Sequence, residues 1–126
     1  MQTVKKSSTK KAKVNGIHPK TYTHEEVLAA ATKYFKGDGL AANVWLNKYA
    51  LKDTQGKLYE LTPDDMHRRI AAEIARVEKK YPEPYTEEDI YAVLKDFKYI
   101  VPQGSPMAGI GNTHQVSSLS LSLIHI

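Results

Sequence analysis

The chain has 126 residues, of which 41% are hydrophobic and 25% charged, and this is typical of one folded domain rather than of two domains or a disordered protein. It contains no cysteine, which excludes disulfides, thiolate metal sites and a thiol nucleophile from these residues. Its apolar runs are too short for a membrane-spanning helix, and residues 1–20 lack the apolar stretch of a signal peptide. We therefore expect a cytoplasmic protein that does not enter the membrane.

The net charge of +4 is concentrated at the N-terminus. Six lysines and no acidic residue lie in the first twenty residues, whereas the other 106 residues carry 12 basic and 14 acidic side chains. A lysine-rich stretch without aromatic residues for base stacking is typical of a solvated leader. We predict a disordered leader over residues 1–21, and an arm that binds nucleic acid is the alternative.

The first predicted helix begins at Thr23–Glu26, because a threonine followed three residues later by a glutamate forms a capping box. Apolar residues then share one helical face, and Gly37–Gly39 ends the helix. A second helix is predicted over LAANVWLNKYAL, residues 40–51, whose apolar side chains indicate burial on more than one side. A turn is predicted at Asp53–Gly56, followed by an extended stretch over residues 57–61.

The strongest helix start is Thr62–Asp65, which has a threonine N-cap, a proline at the first helical position and acidic residues in the first turn. It predicts an amphipathic helix to about Lys80. The apolar residues of this helix recur at helical spacing: Met66, Ile70, Ile74 and Val77. Another capping sequence, Thr86–Asp89, starts a further helix. Its predicted buried stripe consists of Ile90, Val93, Leu94 and Phe97.

After the last helix the pattern changes. Tyr99–Val101 is predicted to be a short strand, and PQGSPMAGIGN, residues 102–112, an ordered loop, because it contains two prolines and three glycines. No return strand follows, so the sheet would be incomplete. The predicted fold class is mainly α, with a helical domain over residues 22–98 and a strand and loop within residues 99–120.

The residues that could carry chemistry are few. The five histidines have no spacing that places two on one helical face, so we expect surface or capping roles rather than metal binding. They are His18, His24, His67, His114 and His125. Acidic residues at helix starts are explained by the helix dipole, which leaves no catalytic carboxylate pair indicated.

Two segments could bind an anion. His67–Arg69 lies in the first turns of a helix, where basic side chains suit phosphate; the alternative is an exposed face paired with the acidic residues Asp64, Asp65 and Glu73. Gly104–Pro106 is the other segment. There, glycine permits close approach to the backbone and Ser105 offers a hydroxyl, although a plain structural turn explains the same residues.

Two longer segments together resemble one family. Val44–Ala71 reads VWLNKYALKD-x-x-GKLYELTPDDMHRRIA, and Leu94–Ser120 reads LKDFKYIVPQGSPMAGIGN-x-x-QVSSLS. They are similar to the N-terminal region of the catalytic (large) subunit of ribonucleoside-diphosphate reductase, particularly the adenosylcobalamin-dependent type. The resemblance implies a helical N-terminal domain followed, over residues 99–120, by the start of a truncated ten-stranded α/β barrel. It also implies that Gly104, Ser105 and Ser120 contact the substrate.

The resemblance further implies thiyl-radical reduction of ribonucleoside diphosphates to deoxyribonucleoside diphosphates for DNA synthesis. The complete enzyme would use adenosylcobalamin, a ribonucleotide substrate, nucleotide effectors and a thioredoxin-type reductant, and would form a homodimer. In the family, Ser-Leu-Ser is followed by Asn-Cys-Phe-Val, and that cysteine is one of a redox pair. Since this chain lacks cysteine, we expect it to bind no cofactor and to be inactive alone, with no catalytic residue and no metal ligand.

The chain departs from the family pattern directly after Ser120, where it continues as LSLIHI, residues 121–126. The codons CTG-TCT-CTT-ATA-CAC-ATC would encode this tail and resemble a transposase adapter used in sequencing libraries. We expect the tail to be non-native, and a genuine hydrophobic strand is the alternative. The alternative function for the whole chain is a small basic helical module that binds nucleic acid through its leader and His67–Arg69.

Overall fold

The computed structural model describes residues 20–114 of the chain. The predicted leader over residues 1–21, except for its last two residues, lies outside this range. Ser120 and the tail over residues 121–126 also lie outside it. Within the described range no helix has both the length and the apolar character needed to cross a membrane.

The described residues form five α-helices and one 3₁₀ turn. In chain order these are α1 (His24–Tyr34), α2 (Gly39–Lys48), α3 (Pro63–Glu78), α4 (Glu87–Leu94), the 3₁₀ turn Lys95–Phe97 and α5 (Gly104–Gly109). The helical part of the predicted fold class is therefore confirmed. The truncated barrel stays a prediction, as do the domain boundaries.

The predicted helix starts are stabilised by hydrogen bonds over short sequence distances. In α1 the Thr23 backbone N–H donates to the Glu26 carboxylate at 2.8 Å, and the Glu26 N–H donates to Thr23 Oγ1 at 3.2 Å. Thr86 and Asp89 exchange the same pair of bonds in α4, at 3.0 and 3.2 Å. In α3 the Asp65 carboxylate accepts from the two backbone N–H groups immediately before the helix, at 2.8 and 3.2 Å. These bonds satisfy donors that a helix leaves unpaired.

The helices pack as two pairs around one core. α1 packs against α2, and α3 packs against α4. The pairs are joined where the Trp45 indole N–H donates to the Met66 sulfur at 3.4 Å. The buried core residues come from all five helices and the segment between α2 and α3: Val27, Ala31, Ala42, Trp45, Leu46, Ala50, Leu58, Met66, Ile70, Ala71, Tyr91, Leu94 and Met107.

Two predicted burial patterns were partly wrong. Leu40 at the start of α2 is 76% exposed and Val44 is also exposed, because α2 turns its Trp45 side toward the core. In α4 the buried residues are Tyr91 and Leu94, whereas Val93 is partly exposed. Tyr91 lies inside because its hydroxyl donates to the Asp64 carboxylate across the α3–α4 contact.

The predicted strand and loop near the end of the described range were also wrong. Tyr99–Val101 is exposed and forms no strand in this part of the chain; instead the Ile100 N–H donates to the Val93 carbonyl at 3.0 Å, which folds the segment back onto α4. The predicted loop contains α5, since Pro106 lies in the first helical turn, where its missing N–H breaks no helical bond. Of the predicted extended stretch, Leu58 forms isolated bridges to Tyr22 and Lys52.

Candidate functional site

Gly104 and Ser105 form the first turn of α5, which lies against α2 and α3. A Cβ atom at Gly104 would lie 3.0 Å from Tyr49 Cε1 and 3.2 Å from the Tyr49 hydroxyl, so the backbone passes directly over this ring. Met107, two residues after Ser105, is buried in the core. The glycine is therefore explained by close packing, and Ser105 is held half-buried at a defined position on the surface.

The Ser105 hydroxyl makes no side-chain hydrogen bond within residues 20–114. A hydroxyl in this state can donate to a phosphate oxygen or accept from another ligand group. Of the three predicted substrate contacts, the structure places Gly104 and Ser105 next to each other, and Ser120 lies outside the described residues.

Arg69 of α3 extends beneath α5 and is bound on several sides. Its guanidinium donates to the Met107 carbonyl at 2.7 Å and to the Ile110 carbonyl, and its Nε donates to Glu60 at 2.5 Å. The side chains of Arg69 and Glu60 are only 9% and 5% exposed. The second Glu60 oxygen accepts from the Leu51 N–H at 2.9 Å. This network was not predicted, although Arg69 follows the buried Met66 by three residues and so borders the apolar face.

His67 is fully buried, which overturns its predicted surface or capping role. Within residues 20–114 neither ring nitrogen has a hydrogen-bond partner, and the ring packs edge-on against Phe97 with centroids 4.5 Å apart. Burial lowers the pKa of His67, and the nearby carboxylates of Asp64 and Asp96 oppose this shift only in part. Burial therefore favours the neutral form of the ring. The spacing along the sequence could have indicated this burial, because His67, Ala71 and Ala75 follow one another at intervals of four and lie on the buried face of α3.

Arg68 lies in a third environment. Its guanidinium packs over the Tyr91 ring at 3.5 Å from the centroid and donates to Glu88 at 2.9 Å. The possible phosphate site at His67–Arg69 is not formed, because His67 is buried, Arg68 is paired with Glu88 and Arg69 is paired with Glu60. The predicted acidic partners were also wrong.

Those acidic residues have other roles. Asp64 accepts from Tyr91, Asp65 caps α3, and Glu73 pairs with Arg76 one turn along the helix at 2.5 Å. Of the two segments expected to bind nucleic acid in the alternative function, only the leader therefore remains. All of the leader except residues 20 and 21 lies outside the described residues.

A polar recess lies on the other side of α5. Its cavity of about 360 Å³ is lined by the end of α2, the turn at residues 53–56 and Ala108 of α5. Lys48, Lys52 and Asp53 line it, so that two positive charges and one negative charge border the recess. The Lys52 ammonium donates to the Asn47 carbonyl at 2.8 Å. Burial lowers the pKa of Lys52. This recess is the second place near α5 where an anion could bind.

The described residues form no metal centre, since residues 20–114 bring no three His, Cys, Asp or Glu side chains together in a metal-binding arrangement. The recess between α3 and the segment after α5, and the recess at the start of α1, each have a volume of about 500 Å³ and are open to solvent. Neither recess is large enough to enclose adenosylcobalamin.

Comparison with known families adds to the geometry. The family model described as "Ribonucleotide reductase, all-alpha domain" matches residues 35–114, more than half of the chain. The matched range includes α2 to α5 and contains Ser105, Arg69 and Glu60. No curated protein and no solved structure matches the chain.

Proposed function

The chain belongs to the ribonucleotide reductase all-alpha domain family, and from this premise we propose that it is the N-terminal helical part of a ribonucleotide reductase catalytic subunit. The observation that carries the proposal is the family match over residues 35–114, a range in which the structure forms the four α-helices α2 to α5 and one 3₁₀ turn. The parent enzyme is an oxidoreductase that reduces ribonucleotides to deoxyribonucleotides. Its substrate and effectors are nucleotides.

For the substrate we propose a ribonucleoside diphosphate whose phosphate contacts Ser105. Three observations support this contact: the half-buried position of Ser105, its unused hydroxyl in the described part of the chain, and the close backbone approach at Gly104. A serine hydroxyl donates well to a phosphate oxygen. Ser120 is proposed as a further contact from the resemblance alone.

For the chemistry we propose thiyl-radical reduction with adenosylcobalamin as the radical source and a thioredoxin-type reductant, in a homodimeric enzyme. No residue of this chain is assigned to the cofactor. The thiols that this chemistry needs are absent from the chain. The role of the chain is then structural and substrate-binding: its helices hold Ser105 in place.

The chain alone should therefore be inactive. Incubation of the 126-residue protein with cytidine diphosphate, adenosylcobalamin and a dithiol should yield no deoxynucleotide, measured by chromatography. Formation of deoxycytidine diphosphate above a protein-free control would contradict the proposal, because this chain has no thiol to form the radical.

The source gene provides the direct test of the parent enzyme. Sequencing genomic DNA across the codon for Ser120 with adapter-free primers should show the frame continuing into Asn-Cys-Phe. A genomic stop codon directly after Ile126 would contradict the proposal. In the enzyme encoded by the continued frame, Ser105→Ala should raise the KM for the nucleoside diphosphate about tenfold, the effect expected when one hydrogen bond to a charged group is lost.

A further inference from the structure

A buried arginine connects the long helix α3 to the short helix that carries Ser105. The Arg69 guanidinium donates to the carbonyl oxygens of Met107, at 2.7 Å, and Ile110. Both carbonyls lie at the C-terminal end of α5, where the last carbonyl groups of a helix receive no hydrogen bond from the helix itself. Since α5 has only six residues, far fewer than an isolated helix needs for stability, these bonds are a main determinant of where it lies.

Glu60 fixes the orientation of this guanidinium. One carboxylate oxygen accepts from Arg69 Nε at 2.5 Å, and the other accepts from the Leu51 N–H at 2.9 Å. Arg69 therefore uses Nε toward Glu60 and its two terminal nitrogens toward α5. The planar guanidinium presents these donors in a fixed fork, and a lysine ammonium cannot reproduce that geometry.

The backbone on both sides of α5 is packed closely around this network. After the helix, Gly111 has φ +72°, and a Cβ atom there would lie 2.9 Å from Arg69 Cγ. Before it, Gly104 lies against the ring of Tyr49, whose carbonyl also receives a long bond of 3.5 Å from Arg69. Displacement of the Arg69 guanidinium would consequently be transmitted to both ends of α5.

From this geometry we infer that Arg69 is a positioning residue for phosphate binding: with Glu60 it holds α5 so that Ser105 meets the substrate phosphate. The inference rests on the proposed function. Arg69 itself faces the carbonyls on the inner side of α5 and does not contact the substrate. Its effect on binding is exerted through Pro106, the one residue between Ser105 and Met107.

The test uses the 126-residue protein and two measurements, amide hydrogen exchange and NMR titration with cytidine diphosphate and with inorganic phosphate. In Arg69→Lys we expect the amides of residues 107–112 to exchange at least about tenfold faster, while those of α1 and α2 stay within twofold. The dissociation constant for cytidine diphosphate, followed at the Gly104 and Ser105 amides, should rise about tenfold.

The control is Arg76→Lys, the same substitution on the same helix at an exposed residue that pairs with Glu73. It should change neither measurement. Gly111→Ala provides a second perturbation that leaves the charge of Arg69 intact: the new Cβ would displace the Arg69 side chain and produce the same two effects in a smaller degree. If Arg69→Lys does not fold, Gly111→Ala decides the question.

The outcomes separate the two ideas. Unchanged phosphate affinity in Arg69→Lys and Gly111→Ala, with the unaltered protein binding at Ser105, would overturn the positioning role and leave the proposed function standing. Equal acceleration of exchange in every helix would also overturn it, since Arg69 would then be a general stability residue. If the unaltered protein binds cytidine diphosphate only at the Lys48–Lys52 recess, or not at all, both the Ser105 contact and the positioning role are refuted.

Discussion

Replacing the buried histidine of α3 with leucine should stabilise the protein and change how its stability depends on pH. His67 is fully buried, and in the described part of the chain neither of its ring nitrogens has a hydrogen-bond partner. A buried polar atom without a partner costs about 1–3 kcal/mol, whereas leucine has a similar volume and no polar atom. The lost edge contact with Phe97 offsets about 0.5–1.5 kcal/mol of this gain. We expect His67→Leu to raise the free energy of unfolding by about 1 kcal/mol at pH 7.5.

The pH dependence has a definite sign. Burial lowers the pKa of His67 in the folded protein, mainly by desolvation of the charged ring. Below a pH of about 6.5, the ordinary histidine pKa, the unfolded chain therefore binds a proton that the folded chain excludes. This pH-dependent part of the free energy of unfolding is fully present above that pH. It is lost as the pH falls toward the pKa of His67 in the folded protein. The slope approaches about 1.4 kcal/mol per pH unit.

The assay is urea unfolding followed by Trp45 fluorescence, at pH 7.5, 6.5 and 5.5. Trp45 is buried between the helix pairs and reports on the whole core. The stability difference between His67→Leu and the unaltered protein should widen by about 1 kcal/mol between pH 7.5 and 5.5. His24→Gln, at the exposed start of α1, is the matched control and should follow the unaltered protein. Parallel loss of stability in His67→Leu and the unaltered protein would refute the reasoning.

Two further predictions concern the fold. Leu46→Ala removes a core side chain of α2 and should lower the free energy of unfolding by about 2–5 kcal/mol. Val44→Ala, two residues earlier and partly exposed, should cost less than about 1 kcal/mol; equal losses in urea denaturation would contradict the assignment of the α2 face. Thr86→Ala removes the hydroxyl that accepts from the Asp89 N–H and should lower the free energy of unfolding by about 1 kcal/mol. Amide hydrogen exchange should become faster only in the first turn of α4, and unchanged exchange there would argue against the capping box.

What the sequence predicts well depends on neighbours three or four residues apart. The starts of α1, α3 and α4 were predicted because a cap and its partner lie within four residues of each other. His67 was misassigned because its burial depends on Phe97, thirty positions along the chain, which closes over the ring from the 3₁₀ turn. No local pattern contains that contact, although the spacing to Ala71 and Ala75 indicated which face His67 lies on.

The helix that carries Ser105 shows the same limit more clearly. Two glycines and a proline in its six residues oppose helix formation by intrinsic propensity. The segment was therefore predicted as a loop. It is helical because Met107 enters the core and because Arg69 supplies donors to the carbonyls at its end. Gly104 and Ser105 were still identified as candidates, since their chemistry does not depend on whether the backbone is a loop or a helical turn.

The buried Arg69–Glu60 pair is better explained by its role in positioning α5 than by a contribution to stability. Desolvation of two charges offsets most of their attraction, so well-packed apolar residues of similar volume would stabilise this site at least as well. Apolar contacts, however, are non-directional, and α5 has only one buried side chain with which to dock. Two hydrogen bonds from one rigid fork, whose orientation Glu60 fixes, set both the distance and the rotation of such a short helix. A hydroxyl that must meet a phosphate needs that fixed geometry, because a hydrogen bond weakens steeply with misalignment.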